Sequence, residues 1–479
     1  MRKIYSLLFL TSLAFSAGAQ SKLFSMQQAV AFALANNVAA KNAVLDEKKM
    51  KYQAWEIKTM GMPKIDATID FNYYYKVPQA PAFTKSFGDT NSISIKSTKY
   101  LAQYMAATGD FRLVNDLQSA AQNSKPFTFV LPFQATASAT LTQLIFDERY
   151  IVGLKAVKDL KLSSTYLRQR TDVDVEFAVR KAYIQAAAGQ ESEASLRNVK
   201  EIVDKTLSDL RATYKEGLIE ELDVNRMELV QTNLESQIQY QDQLAALALA
   251  NLKFQMGLPM SDAITLTDKL KTLQAKMPRE AEIKFDPAKR VEYQLLELGV
   301  KLKGYDMAQK RAGYYPTLLG FLNFGYNAQV SEGKYLFKNE QFQGQTLRSW
   351  NPQGLVGLKL AIPIFDSGQK WASIKQAKME QEKATNDFEN FKQAAALQVE
   401  LARVNYNALI QEELNTTRSL ELSEKIFRKS NIKYKEGVGS SFELTQAQQE
   451  MVQNKLKYVQ TVMNLLINRT ELDKALGTK

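Results

Sequence analysis

Two short stretches carry the residues that could do chemistry. Tyr214-Lys215-Glu216-Gly217 and Tyr434-Lys435-Glu436-Gly437 each end on a glycine able to turn a chain. Each is followed six residues later by an acid, Asp223 and Glu443. A carboxylate just past a turn can accept the backbone N–H groups of a helix start, where the macrodipole also favours it. Gathered from several copies around an axis, such carboxylates would instead draw cations into a narrow mouth. Both readings stand here: Ser440-Ser441-Phe442-Glu443 has the S-x-x-E form of a capping box, and Asp223 falls in a first helical turn. Catalysis is poorly served. With His 0 and Cys 0, the chain has no imidazole base, thiol nucleophile, disulfide, haem attachment or zinc site. Its acids are scattered over helical surfaces rather than paired in a pocket, which disfavours a glycosidase-like enzyme. No catalytic, metal or cofactor site is expected.

The elements that must position these acids are long. Only 21 Gly and 11 Pro interrupt 479 residues, well below usual levels of about 7% and 5%. Residues 1–19 have the pattern of a secretory signal, with basic Arg2 and Lys3, an apolar run from Ile4 to Phe15, and Ala17-Gly18-Ala19 before the cut. The formal charge of +11 is modest for this length, includes two signal positives, and is mixed with acids along helices. Solvated faces explain it better than a nucleic-acid footprint. After the signal no apolar stretch reaches the length of a membrane helix, so only a closed β-barrel could place the mature chain in a membrane.

The chain repeats itself at an offset near 220 residues. The YKEG stretches recur in register, as do Leu144-Ile145-Phe146-Asp147 with Pro363-Ile364-Phe365-Asp366, and Phe254-Gln255-Met256-Gly257 with Lys474-Ala475-Leu476-Gly477. Pre-proline elements, Thr59 to Pro63 and Ala312 to Pro316, precede the strands of each half. A first repeat therefore spans 20–256, with helix 25–60, β-hairpin 64–146 and helices 147–216 and 218–256. A linker, 257–287, carries three prolines. The second repeat, 288–479, has helix 288–312, β-hairpin 317–365 and helices 369–436 and 440–476. Residues 369–436 contain neither Gly nor Pro, and Phe388, Phe391, Leu397, Leu401, Val404 and Ala408 recur at helical spacing. Such a helix is roughly 100 Å long, and the short helices laid end to end match it.

Between the helices the period changes to two. Ile65, Ala67, Ile69, Phe71 and Tyr73 oppose Asp66, Thr68, Asp70 and Asn72, and 127–146, 317–326 and 354–365 alternate similarly. In the last, Leu358 and Leu360 are assigned to lipid and Lys359 to a lumen. Tyr73–Tyr75, Tyr314, Tyr315, Tyr326 and Trp350 gather near strand ends as an interfacial girdle would. Four strands cannot close a membrane barrel, so the edges must be paired by other copies. A secreted, non-membrane helical scaffold or adhesin is the competing reading; it leaves the alternating hairpins unexplained.

The whole mature chain resembles the TolC family of outer-membrane efflux channels, in its repeat, its hairpin order, its Y-x-x-G tip turns and Ala312-Gly313-Tyr314-Tyr315-Pro316. The resemblance implies a mainly α fold with a membrane β-barrel: a homotrimer with four strands per chain in a 12-stranded barrel, set in outer-membrane lipid, above a tunnel of α-helical hairpins crossing the periplasm. It implies a passive exit duct with two further partners, a periplasmic adaptor (membrane fusion) protein and an inner-membrane pump, and no cofactor. The turns at Gly217 and Gly437 would be the adaptor-docking tips, and 257–287 an equatorial wrap. Matched residue by residue, Asp223 and Tyr434 fall on the periplasmic gate, with Glu443 beside them. The family's gate arginine falls on Gly439 and its second acidic ring on Gln446, so half of the pattern is missing and closure is left to Asp223 and Tyr434. The polar loop 77–125 is an extracellular loop or pore plug, or plain surface. Substrate is not encoded here, although the lack of His and of Met clusters at the tips speaks against a dedicated soft-metal route.

Overall fold

The computed structural model describes residues 22–77, 103, 131–278, 285–338, 340–342, 345–347 and 349–478. The signal segment, most of loop 77–125 and the start of the 127–146 alternation lie outside the described residues. In chain order the first elements are β1 (Lys22–Phe24), α1 (Met26–Asn36), α2 (Val38–Thr59), β2 (Lys64–Tyr73), β3 (Phe133–Phe146), α3 (Glu148–Lys215) and α4 (Glu221–Met256). There follow β4 (Ile264–Leu266), α5 (Leu270–Ala275), α6 (Val291–Ala312) and β5 (Thr317–Val330). The chain ends with β6 (Glu340–Phe342), β7 (Gln345–Leu347), β8 (Trp350–Ala361), α7 (Gln369–Lys435) and α8 (Ser441–Leu476). Most helices and the strands β2, β3, β5 and β8 sort into two units, a helical one (to Ile57, Val152–Arg311, from Gly368) and a sheet one (Lys58–Ile151, Ala312–Ser367).

In the helical unit a glycine stops each long helix in the same way. Gly217 and Gly437 adopt left-handed φ of 72° and 71°. The N–H of the glycine and that of the next residue donate back to carbonyls three and five positions earlier, as Gly217 to Tyr214 and Leu218 to Thr213, which satisfies carbonyls the helix would orphan. α4 and α8 end alike at Gly257 and Gly477. The central core is built on small residues. Ala182, Ala186 and Ala188 of α3 are buried with Ala29, Ala33, Leu252, Met256, Val459 and Val462. A Cβ added to Gly189 would stand 3.1 Å from the Ala245 backbone, so α3 and α4 come close only because neither has bulk there.

Three findings depart from the sequence reading. The helix expected over 25–60 breaks at Asn37, whose Oδ1 accepts the Ala39 N–H at 2.7 Å and whose Nδ2 donates to the Gln255 carbonyl at 2.7 Å. An asparagine that can cap one helix and tie down another leaves the helical path readily. Second, the linker is packed. β1 pairs in parallel with β4, and Leu258, Ile264, Leu270 and Leu273 are buried in the central core. The buried Tyr183 hydroxyl donates to the Phe24 carbonyl at 2.9 Å and accepts from Asp268 N–H at 3.1 Å, while Tyr406 donates to the Pro278 carbonyl at 2.6 Å. Third, Leu397, Leu401 and Val404 of α7 are exposed. The face that α7 buries carries Ala395, Val399, Tyr406, Glu413, Thr416 and Phe427 instead. α7 therefore has two apolar seams, one of them without a partner among the described residues.

The sheet unit is one antiparallel sheet in the order β2-β3-β5-β8. Register puts Ile69, Ala137, Tyr326 and Pro352 in one cross-strand row, and Asp70, Thr136, Asn327 and Asn351 in the next. One face is thus apolar from edge to edge. The other carries side-chain bonds between strands: Thr68 with Ser138 at 3.2 Å, Asn323 to Thr140 at 2.7 Å and Asn327 to Thr136 at 3.1 Å. β8 stops at Ala361, short of the 365 expected, two residues before Pro363, which has no N–H to give a ladder. At the foot of the sheet, the Tyr150 ring covers Gly61 and its hydroxyl donates to the Lys58 carbonyl at 2.9 Å.

The glycines yield a stability test. Gly217 and Gly257 share φ +72°, but a Cβ at Gly217 meets open space and one at Gly257 would lie 2.6 Å from the Asn36 carbonyl oxygen. Gly217→Ala should cost about 1–2 kcal/mol, the left-handed penalty alone. Gly257→Ala should cost clearly more, because the α1–α2 break must move as well. Thermal unfolding followed by helical circular dichroism compares the two; equal melting shifts would contradict this packing.

Candidate functional site at the helical tips

Both tip turns belong to the helical unit, and a second apolar core fixes them. Leu207 and Leu210 of α3, Val224 and Met227 of α4, Phe427 of α7, and Leu444 and Ala447 of α8 are buried together. Above this core the first turns of α4 and α8 meet. The Ser441 hydroxyl donates to Asp223 Oδ1 in a short hydrogen bond. Arg226 Nη1 lies 3.8 Å from the same carboxylate oxygen and 3.5 Å from Ser441 Oγ, and its guanidinium stands 5.9 Å from the centre of the Phe442 ring. Asp223 is therefore held by a neighbour on its own helix and by one on the other hairpin.

A cavity of about 580 Å³ opens beside this contact, lined among others by Thr206, Asp209, Asp223, Arg226, Asn431 and Tyr434. Within it the Tyr434 hydroxyl and Asn431 Oδ1 are buried without a hydrogen-bond partner. Burial, and then the negative charge of Asp223, push the Tyr434 phenol above its ordinary pKa. Its proton is accordingly kept through the neutral range. At the wall of the same cavity Lys435 Nζ lies 3.7 Å from Asp209, a second link between the hairpins.

The structure thus brings Asp223 and Tyr434 to one cavity and leaves the other two candidates apart from it. Glu443 is exposed, and its N–H donates to Ser440 Oγ at 3.1 Å, the half of the capping box that the serine supplies. Gln446 is exposed and donates to Glu450 on its own helix at 3.2 Å. A complete capping box occurs elsewhere, at Ser25 and Gln28. Arg226, Ser441 and Asn431 were not singled out from sequence. Arg226 had a signal, standing three residues after Asp223 on one helix; Ser441 had none, because its neighbour Ser440 does the capping. Gly439 has a local reason to be glycine: a Cβ there would come 3.0 Å from the Tyr434 backbone nitrogen. Among the described residues no group of three or more potential ligands could hold a metal ion.

Residues 294–478 match the family model described as outer membrane efflux protein. That stretch is similar to the outer membrane efflux protein family. Solved structures extend the likeness to the whole chain. VceC, an outer membrane protein from Vibrio cholerae, is similar with a TM-score of 0.67 at 14% identity, over 95% of this chain and 96% of VceC. The CmeC outer membrane channel of Campylobacter jejuni gives a TM-score of 0.69 at 14% identity, over 94% of this chain and 85% of CmeC. The MtrE outer membrane channel of Neisseria gonorrhoeae, in its open state, gives 0.65 at 14% identity, over 95% and 90%. No curated protein matches the chain in sequence. The chain has the fold of an outer-membrane efflux channel, and the resemblance drawn from its sequence holds.

An orphaned hydroxyl costs free energy wherever it stays buried. Tyr434→Phe should therefore leave the melting temperature of this efflux-protein fold unchanged or raise it. A clear loss of stability would mean that the hydroxyl is hydrogen-bonded in the folded protein after all.

Proposed function

We propose that this chain is the outer-membrane exit duct of a tripartite efflux or secretion system, a passive conduit without catalysis. Three copies close one barrel of twelve strands. The observation that carries this reading is the sheet. Its apolar face is turned to solvent, with Ile69 84% and Leu358 71% exposed, and among the described residues β2 and β8 each leave one edge unpaired. In water such a sheet would aggregate; in lipid the apolar face is the stable outside, but only if every edge is paired. Four strands are too few for a barrel, which needs about eight. Among the described residues no helix is long and apolar enough to cross a membrane, so the sheet is the natural membrane element.

Aromatic placement supports the same reading. Tyr315 precedes β5 and Tyr326 lies toward its far end. Eleven residues of strand cover about 36 Å, or about 28 Å along the membrane normal at the usual tilt, close to the roughly 25 Å apolar band of such barrels. The unpartnered seams on the helices, Leu397, Leu401 and Val404 on α7 and Leu45, Tyr52 and Trp55 on α2, favour further helical contacts between copies. A two-fold internal repeat accounts for the paired element lengths, 22 residues in α2 and α6 and 36 in α4 and α8. In this reading the Gly217 and Gly437 turns dock a periplasmic adaptor, an inner-membrane pump supplies the energy, and Asp223, Tyr434, Glu443 and Gln446 lie near the periplasmic mouth. A secreted scaffold or adhesin has no use for an exposed apolar sheet face.

Two measurements test the duct. The native particle should be a trimer in detergent by light scattering; a folded monomer, soluble without detergent, would sink the reading. Leu360 shares the apolar face with Leu318, and Lys359 pairs with Leu319 on the opposite one. Leu360→Arg should cost about 2–4 kcal/mol and reduce trimer yield, whereas Lys359→Glu should assemble as the parent does. In planar bilayers Glu443→Gln should weaken cation preference, since the exposed carboxylates are the ones free to act on passing ions.

A further inference from the structure

The starts of α2 and α6 are built alike up to one residue. Each is a helix of 22 residues. Each begins against the glycine that ends a helix of 36 residues: a Cβ on Gly257 would meet the Asn36 carbonyl, and one on Gly477 would meet Arg290 Cγ at 3.2 Å. In front of α2 stands Asn37, whose Oδ1 takes up the Ala39 N–H. In front of α6 stands Arg290, a side chain with donors and no acceptor. Tyr293 and Gln294 donate back to the Arg290 carbonyl, which leaves the Val291 and Glu292 N–H groups without an acceptor in the helix. An acceptor is wanted at α6, where the residue that supplies one at α2 is replaced by a cation.

A cavity of about 80 Å³ lies at that place, among α3, the start of α6 and the end of α8, with Val291 and Glu292 on its wall. Four cations line it as well: Arg170, Lys289, Arg290 and Lys474. Lys474 is held by Asp174 at 2.6 Å, and Arg290 Nε has Glu292 at 3.5 Å. The other acid on the wall, Glu176, is paired with Arg180. Among the described residues no carboxylate pairs with Arg170 or Lys289, so four cations less two leave a surplus of two. Arg290 is only 6% exposed, with Nη1 donating to Gln398 of α7 at 2.9 Å and the guanidinium 5.3 Å from the centre of the Phe391 ring. Its Nε is buried without a hydrogen-bond partner. A buried guanidinium with a donor to spare is costly until an anion answers it. The C-terminus of α8 is a weaker reason for these cations, since the Asp473 and Lys474 carbonyls already accept from Thr478 and Gly477.

We propose that this cavity binds a phosphate group, inorganic or the end of an organic monoester, on the first N–H groups of α6, with Arg170 and Lys289 reaching it from the exposed rim. A tetrahedral oxyanion of charge near −2 balances the surplus of two and offers acceptors to the helix start and to the side-chain cations together. The volume admits one such group and no whole solute. Seated there, it ties α3, α6 and α8 across the junction. The inference stands on the helical unit alone and is independent of what the duct carries.

The test is isothermal titration calorimetry of the detergent-solubilised full-length protein in phosphate-free buffer, with sodium chloride holding the ionic strength constant. Inorganic phosphate and phenyl phosphate are the two probes. Arg170→Gln and Lys289→Gln should each weaken binding roughly tenfold, the factor a lost charge-assisted hydrogen bond carries. Both side chains are exposed, so the melting temperatures of these variants without phosphate should match the parent's. Lys271→Gln, at an exposed lysine of α5 that does not line the cavity, should bind as the parent does. Binding of both probes, or of inorganic phosphate alone, supports the site; binding of phenyl phosphate alone supports it and assigns it to an ester. If neither probe binds, or if the parent, Arg170→Gln and Lys289→Gln bind with equal affinity, the site is overturned.

Discussion

Backbone hydrogen bonding at the two outer strands is the constraint from which much else follows. β2 and β8 expose nearly every residue they contain, and each offers a row of outward N–H and C=O groups that no described strand pairs. Water could satisfy them, but water would also face the apolar side of the sheet. The interior strands show the complementary state, with β3 and β5 half-buried between neighbours. Pairing the edges with further copies and covering the apolar face with hydrocarbon resolves both problems together, and neither step alone suffices.

The helical unit answers a different demand, which is to stay ordered over very long, polar, nearly breaker-free segments. Propensity contributes little over such lengths unless the helices are packed. Packing here alternates two devices. Small residues let backbones approach, as at Gly189 and Ala245, and ionic contacts bridge wider gaps, as Arg197 to Asp242 at 2.7 Å and Lys200 to Glu235 at 3.0 Å between α3 and α4. The buried Asp159 is paired with a cation. Asp159 of α3 accepts from Lys301 and Tyr305 of α6 at 2.8 and 3.0 Å, and Lys301 chiefly holds its carboxyl below the usual range.

Period and punctuation made much of this legible. Alternation at Ile65 to Tyr73 gave a strand with a defined apolar face, and glycines after long breaker-free runs gave the tip turns. What escaped was non-local. Asn37 breaks a helix because the Gln255 carbonyl lies beside it, and nothing near residue 37 announces that. β1 and β4 are three residues each, too short for a periodic signal. On α7, Leu397 and Tyr406 belong to different seams, which hydropathy ranks alike and only packing separates. At the tips Asp223 and Tyr434 line one cavity, and the guanidinium beside Asp223 comes from Arg226 of α4 rather than from position 439.

The pairing of β1 with β4 carries a consequence for how the molecule is made. Lys22 donates to Asp262 across 240 residues of chain, and Met26 N–H donates to Asp268 at 2.9 Å. A nascent chain that has not yet reached Asp268 cannot seat Phe24, cannot give Tyr183 its second partner and cannot finish the central core around α1. Closing so large a loop is entropically slow relative to forming the hairpins. The contacts that finish the central helical core therefore wait for residues near 268, however early the first helices form.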